Sequence, residues 1–294
     1  RTLSIDPPTV SVSVAATGAG IAAVQLLDGE TLLWQGQANT DGTPVTAVLP
    51  GARLWDTETP QLYSCRVQFG QDEWVGSFGV RTLEWGVKGL LLNGRRVILR
   101  GACIHHDNGI LGAATWADAE QRRVRILKEN GYNALRSAHN PCSKALLEAC
   151  DRLGMLMMDE FVDCWYIHKT QFDYVCHFEK WWQADLKAMV NKDYNHPCVV
   201  MYSTGNEVSE TAQEKGIALT RAMTEYLHSL DDTRPVSCGV NIFFNFLSSM
   251  GFGVYSDDKA AKEAQNAGDA GKKKKAVGSE FYNNLAGLLG DKAM

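Results

Sequence analysis

The sequence predicts a two-part fold: a small antiparallel β-sandwich followed by a parallel (β/α)8 barrel that is truncated after about five units. Over residues 1–87, short alternating apolar segments are separated by turn residues. From residue 88 onward, apolar runs of strand length alternate with amphipathic segments of helix length. Polar residues follow these later apolar runs, as they do at the carboxyl ends of barrel strands.

The sandwich prediction for residues 1–87 depends on period-two patterns. Val10, Val12 and Val14 alternate with polar residues in "TVSVSVAA", and a less strict alternation occurs in "QLYSCRVQFG". The intervening turn pairs include Asp28-Gly29, Asp41-Gly42 and Pro50-Gly51. Several short strands without a long helical pattern are typical of a sandwich.

The barrel prediction for residues 88–294 depends on five βα units in series. We predict strands at 97–99 and within 133–139, 155–160, 198–207 and 235–240, and helices within 115–131, 141–154, 181–191 and 214–230. In the second helix, Ser143 is a candidate N-cap and Gly154 a candidate C-terminal stop. A complete barrel takes about 250 residues, so we expect its last strands to be missing.

The composition of the chain disfavours several classes of protein. The chain is 45% hydrophobic and 21% charged with a net charge of -5, which disfavours a nucleic-acid partner. No apolar run reaches the roughly 18 residues that a membrane span needs. The eight cysteines contain no CxxC pair, which disfavours a zinc site and a disulfide framework. We therefore expect a cytoplasmic protein with reduced thiols and no cofactor, whose partner is a neutral polar small molecule, and we leave a homo-oligomer open.

Candidate site residues follow the predicted strands. They are His105, His106, Arg136, His139, Asp159, Glu160, Asn206 and Glu207. In one barrel these side chains would surround a single cavity. A doubly wound sheet would instead need a glycine-rich phosphate loop after a strand, and the sequence has none.

This set of polar groups suits glycoside hydrolysis, which needs a protonated and an ionised carboxyl group beside the scissile bond. Glu207 is the candidate general acid/base, and Asn206 can hydrogen-bond the sugar 2-hydroxyl. Each residue alone has a structural alternative. Asn206-Glu207 is also a common helix N-cap signal, and Arg136 could form an ion pair with the Asp159-Glu160 segment. Their convergence on one cavity favours the functional interpretation.

Three ordered motifs then resemble those of glycoside hydrolase family 2, the β-galactosidase/β-glucuronidase family. The segments 90–112, 133–160 and 195–207 are similar to its Asn-Gly…Arg-Gly…His, Asn-x-x-Arg-x-x-His-x-Pro…Asp-Glu and Asn-His-Pro…Gly-Asn-Glu signatures. "FGVRTLEW", residues 78–85, resembles the seam between that family's immunoglobulin-like sandwich and its barrel. The resemblance implies an immunoglobulin-like domain over residues 1–87 and the first part of a catalytic TIM barrel over residues 88–294.

The resemblance also implies roles for the strand-end residues. Glu207 matches the family's general acid/base, and Asn206 matches its partner at the 2-hydroxyl. The substrate-binding positions of the family are matched by Asp159, Glu160, Arg136, His139 and either His105 or His106. The implied activity is that of a retaining exo-β-glycosidase of β-glucuronidase or β-galactosidase type acting on a carbohydrate or glycoside conjugate.

Two departures from the family pattern concern the nucleophile and a metal. The family nucleophile is a glutamate at the end of strand seven, which we expect to lie outside this chain; Glu280 is the less favoured candidate within it. Where magnesium-holding galactosidases carry an acidic residue and a histidine, this chain has Asp163, Cys164 and Trp165, so we expect no metal. The alternative hypothesis is a non-catalytic carbohydrate-binding protein or an inactive truncated fragment.

Overall fold

The computed structural model of the protein describes residues 1–170 and 172–249. The strands of its first part are β1 (Thr2–Ile5), β2 (Pro8–Val12), β3 (Ile21–Asp28), β4 (Thr31–Asn39), β5 (Val45–Val48), β6 (Tyr63–Phe69), β7 (Asp72–Phe78), β8 (Leu83–Gly86), β9 (Gly89–Leu92) and β10 (Arg95–Val97). The later elements are β11 (Gly101–His105), α1 (Ala117–Glu129), β12 (Ala134–Ala138), α2 (Lys144–Leu153), β13 (Leu156–Glu160), α3 (Val175–Asp193), β14 (Val199–Asn206), α4 (Glu214–Leu230), β15 (Val236–Gly239) and α5 (Ile242–Ser249). The candidate nucleophile Glu280 lies outside the described residues.

The first part of the chain forms antiparallel sheets, as its alternation predicts. One sheet has the order β1-β2-β5, a second has the order β4-β3-β6-β7, and a third, smaller one has the order β10-β9-β8. The first two sheets face each other. Apolar side chains from both sheets share one buried cluster, which includes Val10, Val24, Leu26, Ala47 and Leu49. Burial of this shared face is the main force that holds two such sheets together.

The predicted first barrel strand at 97–99 is wrong. Residues up to Val97 belong to β10, which pairs antiparallel with β9, and the first parallel strand begins at Gly101. The side chain of Asn133 hydrogen-bonds the backbone between these two strands: it accepts from Arg100 N at 2.7 Å and donates to Ile98 O at 2.9 Å. These backbone groups are therefore satisfied by a side chain rather than by a neighbouring strand.

The second part forms a parallel sheet in the order β11-β12-β13-β14-β15, with helices between the strands. This confirms the βα organisation. The ends of α2 are also as predicted, because Ser143 Oγ accepts from Leu146 N at 3.1 Å and Gly154 ends the helix at a φ of 68°. Within the described residues, the helices do not include one with the length and apolarity that a membrane span requires.

The antiparallel part packs against the end of the parallel sheet where the strands begin. Trp55 is fully buried, and its indole N–H donates to Asp151 O at 2.9 Å. Arg81 donates to Pro197 O and Val199 O, each at 2.8 Å, just before and at the start of β14. The carboxyl ends of the strands therefore lie at the opposite end of the sheet.

A cavity of about 1070 Å³ lies at this junction, lined by side chains that include Val67, Trp74, Arg81, His196 and Arg234. The candidate site residues are not among those that line it. The cavity therefore belongs to the contact between the two parts of the chain and not to the strand-end site.

Candidate active site

The strand β14 is buried along most of its length and turns sharply at its carboxyl end. Glycine is favoured at position 205, since a Cβ there would be crowded: it would lie 3.0 Å from Val208 Cγ1 and 3.1 Å from the carbonyl oxygen of Val162. Two residues later, Glu207 has a φ of 48°, in the left-handed region that residues other than glycine seldom adopt. A strained backbone of this kind persists only where the surrounding structure fixes it, and such residues cluster at functional sites.

Both the backbone and the side chain of Glu207 are fixed by the neighbouring strand β15 and the residues after it. Its N–H donates to the carbonyl oxygen of Gly239 at 2.6 Å. Its Oε1 accepts from Asn241 Nδ2 at 3.1 Å, and the carboxyl group is half buried. Sequence reasoning missed Asn241, although the asparagine follows the predicted fifth strand as the other site residues follow theirs.

A second network surrounds the fully buried carboxylate of Glu160. Its Oε2 accepts from Arg136 Nε at 2.8 Å, from Arg136 Nη2, and from Ser203 Oγ at 2.7 Å, while Oε1 lies 2.7 Å from His139 Nδ1. Arg136 Nη2 also donates to Asn206 Oδ1 at 3.0 Å. With its oxygen held in this way, Asn206 retains its amide N–H groups as donors toward a ligand.

The histidines lie at the ends of β11 and β12. The rings of His105 and His139 meet edge to face, with centroids 5.2 Å apart. His105 is exposed, and His106, the next residue, is half buried. The structure thus brings His105, His139, Glu160 and Arg136 together at one end of the sheet, with Asn206 and Glu207 on the adjoining strand.

Asp159 lies elsewhere, because neighbouring residues of a strand point to opposite faces of the sheet. Its carboxylate faces the helices: Oδ1 accepts from Ser137 Oγ at 2.7 Å and from Cys142 N at 2.9 Å, and Oδ2 accepts from Lys192 Nζ at 2.9 Å. Burial acts to raise the pKa of Asp159, but the charge of Lys192 and the hydrogen bonds outweigh it and hold the pKa below its usual range. The structure therefore does not place Asp159 with the other candidate residues.

Asp193 completes this helix-side group through its contact with Lys192. Burial, followed by the nearby charge of Asp159, raises the pKa of Asp193 well above its usual range. Two adjacent carboxyl groups thus have pKa values shifted in opposite directions around one ammonium group. The pKa of Asp159 is lowered and that of Asp193 raised within one buried cluster.

The segment after β13 contains Asp163, Cys164 and Trp165, where no metal is expected. Within residues 1–170 and 172–249, His, Cys, Asp and Glu side chains do not form a group of three or more that could hold a metal ion. Asp163, which stands in that segment, forms an ion pair with Lys169 at 3.0 Å. The expectation that no metal binds stays a prediction.

The sequence of this chain is similar to those of known glycoside hydrolases. The family model for the TIM barrel domain of glycosyl hydrolases family 2 matches residues 85–290. A β-galactosidase from Bacteroides ovatus is 37% identical over 226 residues, covering 64% of this chain and 27% of that protein. A β-glucuronidase from Homo sapiens is 27% identical over 247 residues, covering 79% of this chain and 37% of that protein.

Solved structures agree with the sequence comparison. A glycosyl hydrolase family 2 member from Bacteroides cellulosilyticus matches with a TM-score of 0.70 at 35% identity, covering 82% of this chain and 34% of that one. A β-glycosidase from Bacteroides vulgatus matches with a TM-score of 0.71 at 30% identity, covering 79% and 31%. The chain thus spans 27% to 37% of the length of the four proteins compared.

Proposed function

This chain belongs to glycoside hydrolase family 2, and from that premise we propose that it carries part of the active site of a retaining exo-β-glycosidase of β-glucuronidase or β-galactosidase type. The substrate is a carbohydrate or glycoside conjugate whose O-glycosidic bond is hydrolysed. In this proposal residues 1–87 form an immunoglobulin-like sandwich, and residues 88–294 form the first part of the catalytic barrel.

The observation that carries the proposal is the fixed position of Glu207. Its left-handed backbone, its N–H bond to Gly239 and the amide of Asn241 together hold a half-buried carboxyl group at the end of β14. In a retaining mechanism, this group donates a proton to the leaving oxygen and then accepts a proton from the attacking water. Asn206, held by Arg136, donates to the sugar 2-hydroxyl.

The other strand-end residues shape the sugar pocket. Among the residues that the structure describes, the partners of the Glu160 carboxylate are Arg136, His139 and Ser203. We therefore assign Glu160 to orienting Arg136 and His139, with His105 and His106 at the wall of the pocket. Asp159 stabilises the end of β13 from its helix-covered face.

A retaining mechanism also needs a nucleophilic carboxylate about 5 Å from the acid. Glu160 is engaged by its three neighbours, so we place the nucleophile outside the described residues, with Glu280 as the less favoured candidate. The second candidate function is a non-catalytic carbohydrate-binding protein or an inactive truncated fragment without the nucleophile, since Glu160 is not free to take that role.

The test uses the complete native gene product, assayed on nitrophenyl β-glucuronide, β-galactoside and β-mannoside. We expect hydrolysis of one of the first two. Glu207→Gln removes the transferable proton, so alkyl glycosides with poor leaving groups should lose about 10²- to 10⁴-fold in kcat/KM. Activated nitrophenyl glycosides need less protonation and should lose much less in the first step.

The matched control is Glu225→Gln, which changes an exposed glutamate on α4 and should leave both rates unchanged. An equal loss on alkyl and nitrophenyl substrates would remove Glu207 from the acid role. Sugar binding by the parent protein without hydrolysis of any substrate would select the carbohydrate-binding alternative.

A further inference from the structure

The peptide group that joins Asn206 to Glu207 is held from both sides. On one side its N–H donates to the carbonyl oxygen of Gly239 at 2.6 Å. On the other side its carbonyl oxygen, that of Asn206, accepts from Lys169 Nζ at 2.6 Å. A bond from an ammonium group is charge-assisted, and it is shorter and stronger than one between neutral groups.

Lys169 is itself held firmly in place. Its side chain is only 11% exposed, and its ammonium forms an ion pair with Asp163 at 3.0 Å. Its backbone N–H donates to Asp173 Oδ2 at 2.7 Å, and Asp173 also accepts from Thr170 N at 3.1 Å. The lysine therefore reaches the Asn206 carbonyl from a fixed base.

The segment before Lys169 is fastened to the residues that follow β14. The buried Glu210 Oε1 accepts three consecutive backbone N–H groups, those of Trp165, Tyr166 and Ile167, each at 2.9 Å. Glu210 lies three residues after Glu207 in the chain. The segment that carries the lysine and the turn that carries the glutamate are thus tied together at two points.

We propose that Lys169 is a positioning residue for the general acid/base Glu207. The left-handed backbone of Glu207 persists only where its surroundings fix it, and Lys169 and Gly239 fix the preceding peptide group from opposite sides. Loss of the ammonium lets this peptide group rotate and carries the carboxyl group away from the leaving oxygen. A displacement of about 1 Å is enough to cost about 10²-fold in rate. The inference rests on the proposed function.

The test is Lys169→Met in the complete native gene product, which keeps the length of the side chain and removes its charge. We expect kcat on alkyl glycosides to fall about 10- to 100-fold, with KM changed less than about threefold. The acid is displaced, whereas the Asn206 side chain stays bonded to Arg136. Nitrophenyl glycosides should lose less than alkyl glycosides. Lys169→Arg retains a charged donor to the carbonyl and should recover part of the loss.

Lys187→Met is the matched control, since Lys187 is an exposed lysine on α3. Equal losses on both substrate classes, or no recovery with arginine, would assign Lys169 to stability alone and overturn the proposal. A crystal structure of Lys169→Met supplies a readout that needs no activity: we expect the Asn206 carbonyl and the Glu207 carboxyl group to move. An unmoved Glu207 overturns the positioning role, whereas an inactive parent protein counts only against the glycosidase function.

Discussion

Asp159 and Glu160 are adjacent in sequence and equally buried, yet they belong to different parts of the molecule. Glu160 faces the neighbouring strands and holds Arg136 and His139 beside Asn206. Asp159 faces the helices and holds Lys192. One carboxylate therefore organises the candidate site, and the other fastens the helix layer to the same strand.

The difference shows that a pair of acids at a strand end does not make a pair of site residues. Strand geometry sends the two side chains to opposite faces of the sheet, so only one can face the ligand. The second carboxylate stabilises the strand end that the first one needs. Three substitutions separate these two contributions.

The largest effect is expected from Glu160→Gln. The neutral amide leaves the Arg136 guanidinium without its carboxylate partner, and breaking a buried ion pair on one side is strongly destabilising. We expect a loss of about 3 kcal/mol in the free energy of unfolding, measured by urea denaturation, at the low end for a buried pair because the Arg136 side chain is 24% exposed. Activity should fall at least about 10²-fold, since Arg136 no longer orients Asn206.

Glu179→Gln, on the exposed surface of α3, is the control for Glu160→Gln and should change neither quantity. If Glu160→Gln instead retained full activity with normal stability, Glu160 would not organise the site, and the contrast with Asp159 would disappear.

A smaller effect is expected from Asp159→Asn. The amide oxygen can still accept from Ser137 and Cys142, but the charge opposite Lys192 is lost, at a cost of about 1–2 kcal/mol at pH 7. Because the pKa of Asp159 is lowered in the folded protein, its contribution is present above the unfolded pKa of about 3.9 and is lost as pH falls through the folded pKa. The variant should therefore lose less stability than the parent on acidification.

Activity of Asp159→Asn is the deciding measurement for the comparison. At a temperature where both proteins are folded, we expect kcat/KM to stay within about threefold of the parent. The Asp159 carboxylate bonds Ser137, Cys142 and Lys192 on the helix-covered face of the sheet and not the site residues. If Asp159→Asn lowered kcat/KM as much as Glu160→Gln does, without lowering stability, Asp159 would have the substrate-binding role that its sequence position predicts.

The smallest effect is expected from Asp193→Asn, and its sign depends on pH. The pKa of Asp193 is raised in the folded protein, so the parent holds an extra proton and loses stability as pH rises from about 4 toward the folded pKa. Asparagine mimics the protonated acid and has no such dependence. We expect equal unfolding free energies near pH 4 and an advantage on the order of 1 kcal/mol for the variant at pH 8. An advantage at low pH instead would show that Asp193 is ionised in the fold.

Much of the fold could be predicted from short sequence patterns, such as helix caps and apolar runs. The capping serine and terminal glycine of α2 are visible in the sequence because each acts on its own helix end. The strand at 97–99 was wrong because an apolar run does not reveal which backbone partner it meets. There Asn133, more than thirty residues away, satisfied the backbone groups instead.

The candidate site was predictable where strand ends define it and not where long-range contacts do. Arg136, Glu160, Asn206 and Glu207 were predicted from their positions after strands, and the structure brings them together. Strict alternation along β13 could have separated Asp159 from Glu160 in advance. Asn241 follows the predicted fifth strand and carries the same signal. Lys169 could not be foreseen in this way, since its bond to Asn206 depends on the path of the segment after β13.

The junction between the two parts of the chain sets a condition for protein engineering. Gly154 ends α2, and a Cβ on it would lie 2.6 Å from the carbonyl oxygen of Thr57, while Trp55 and Arg81 bond carbonyl groups on the opposite side of the same junction. These contacts are all made to backbone carbonyl groups, so they depend on the path of the backbone and not on the identity of the side chains there. If the sandwich is exchanged between relatives, it should keep its orientation only where the barrel that receives it has a glycine at the position of Gly154. The loop around Trp55 and this glycine must therefore be matched to each other.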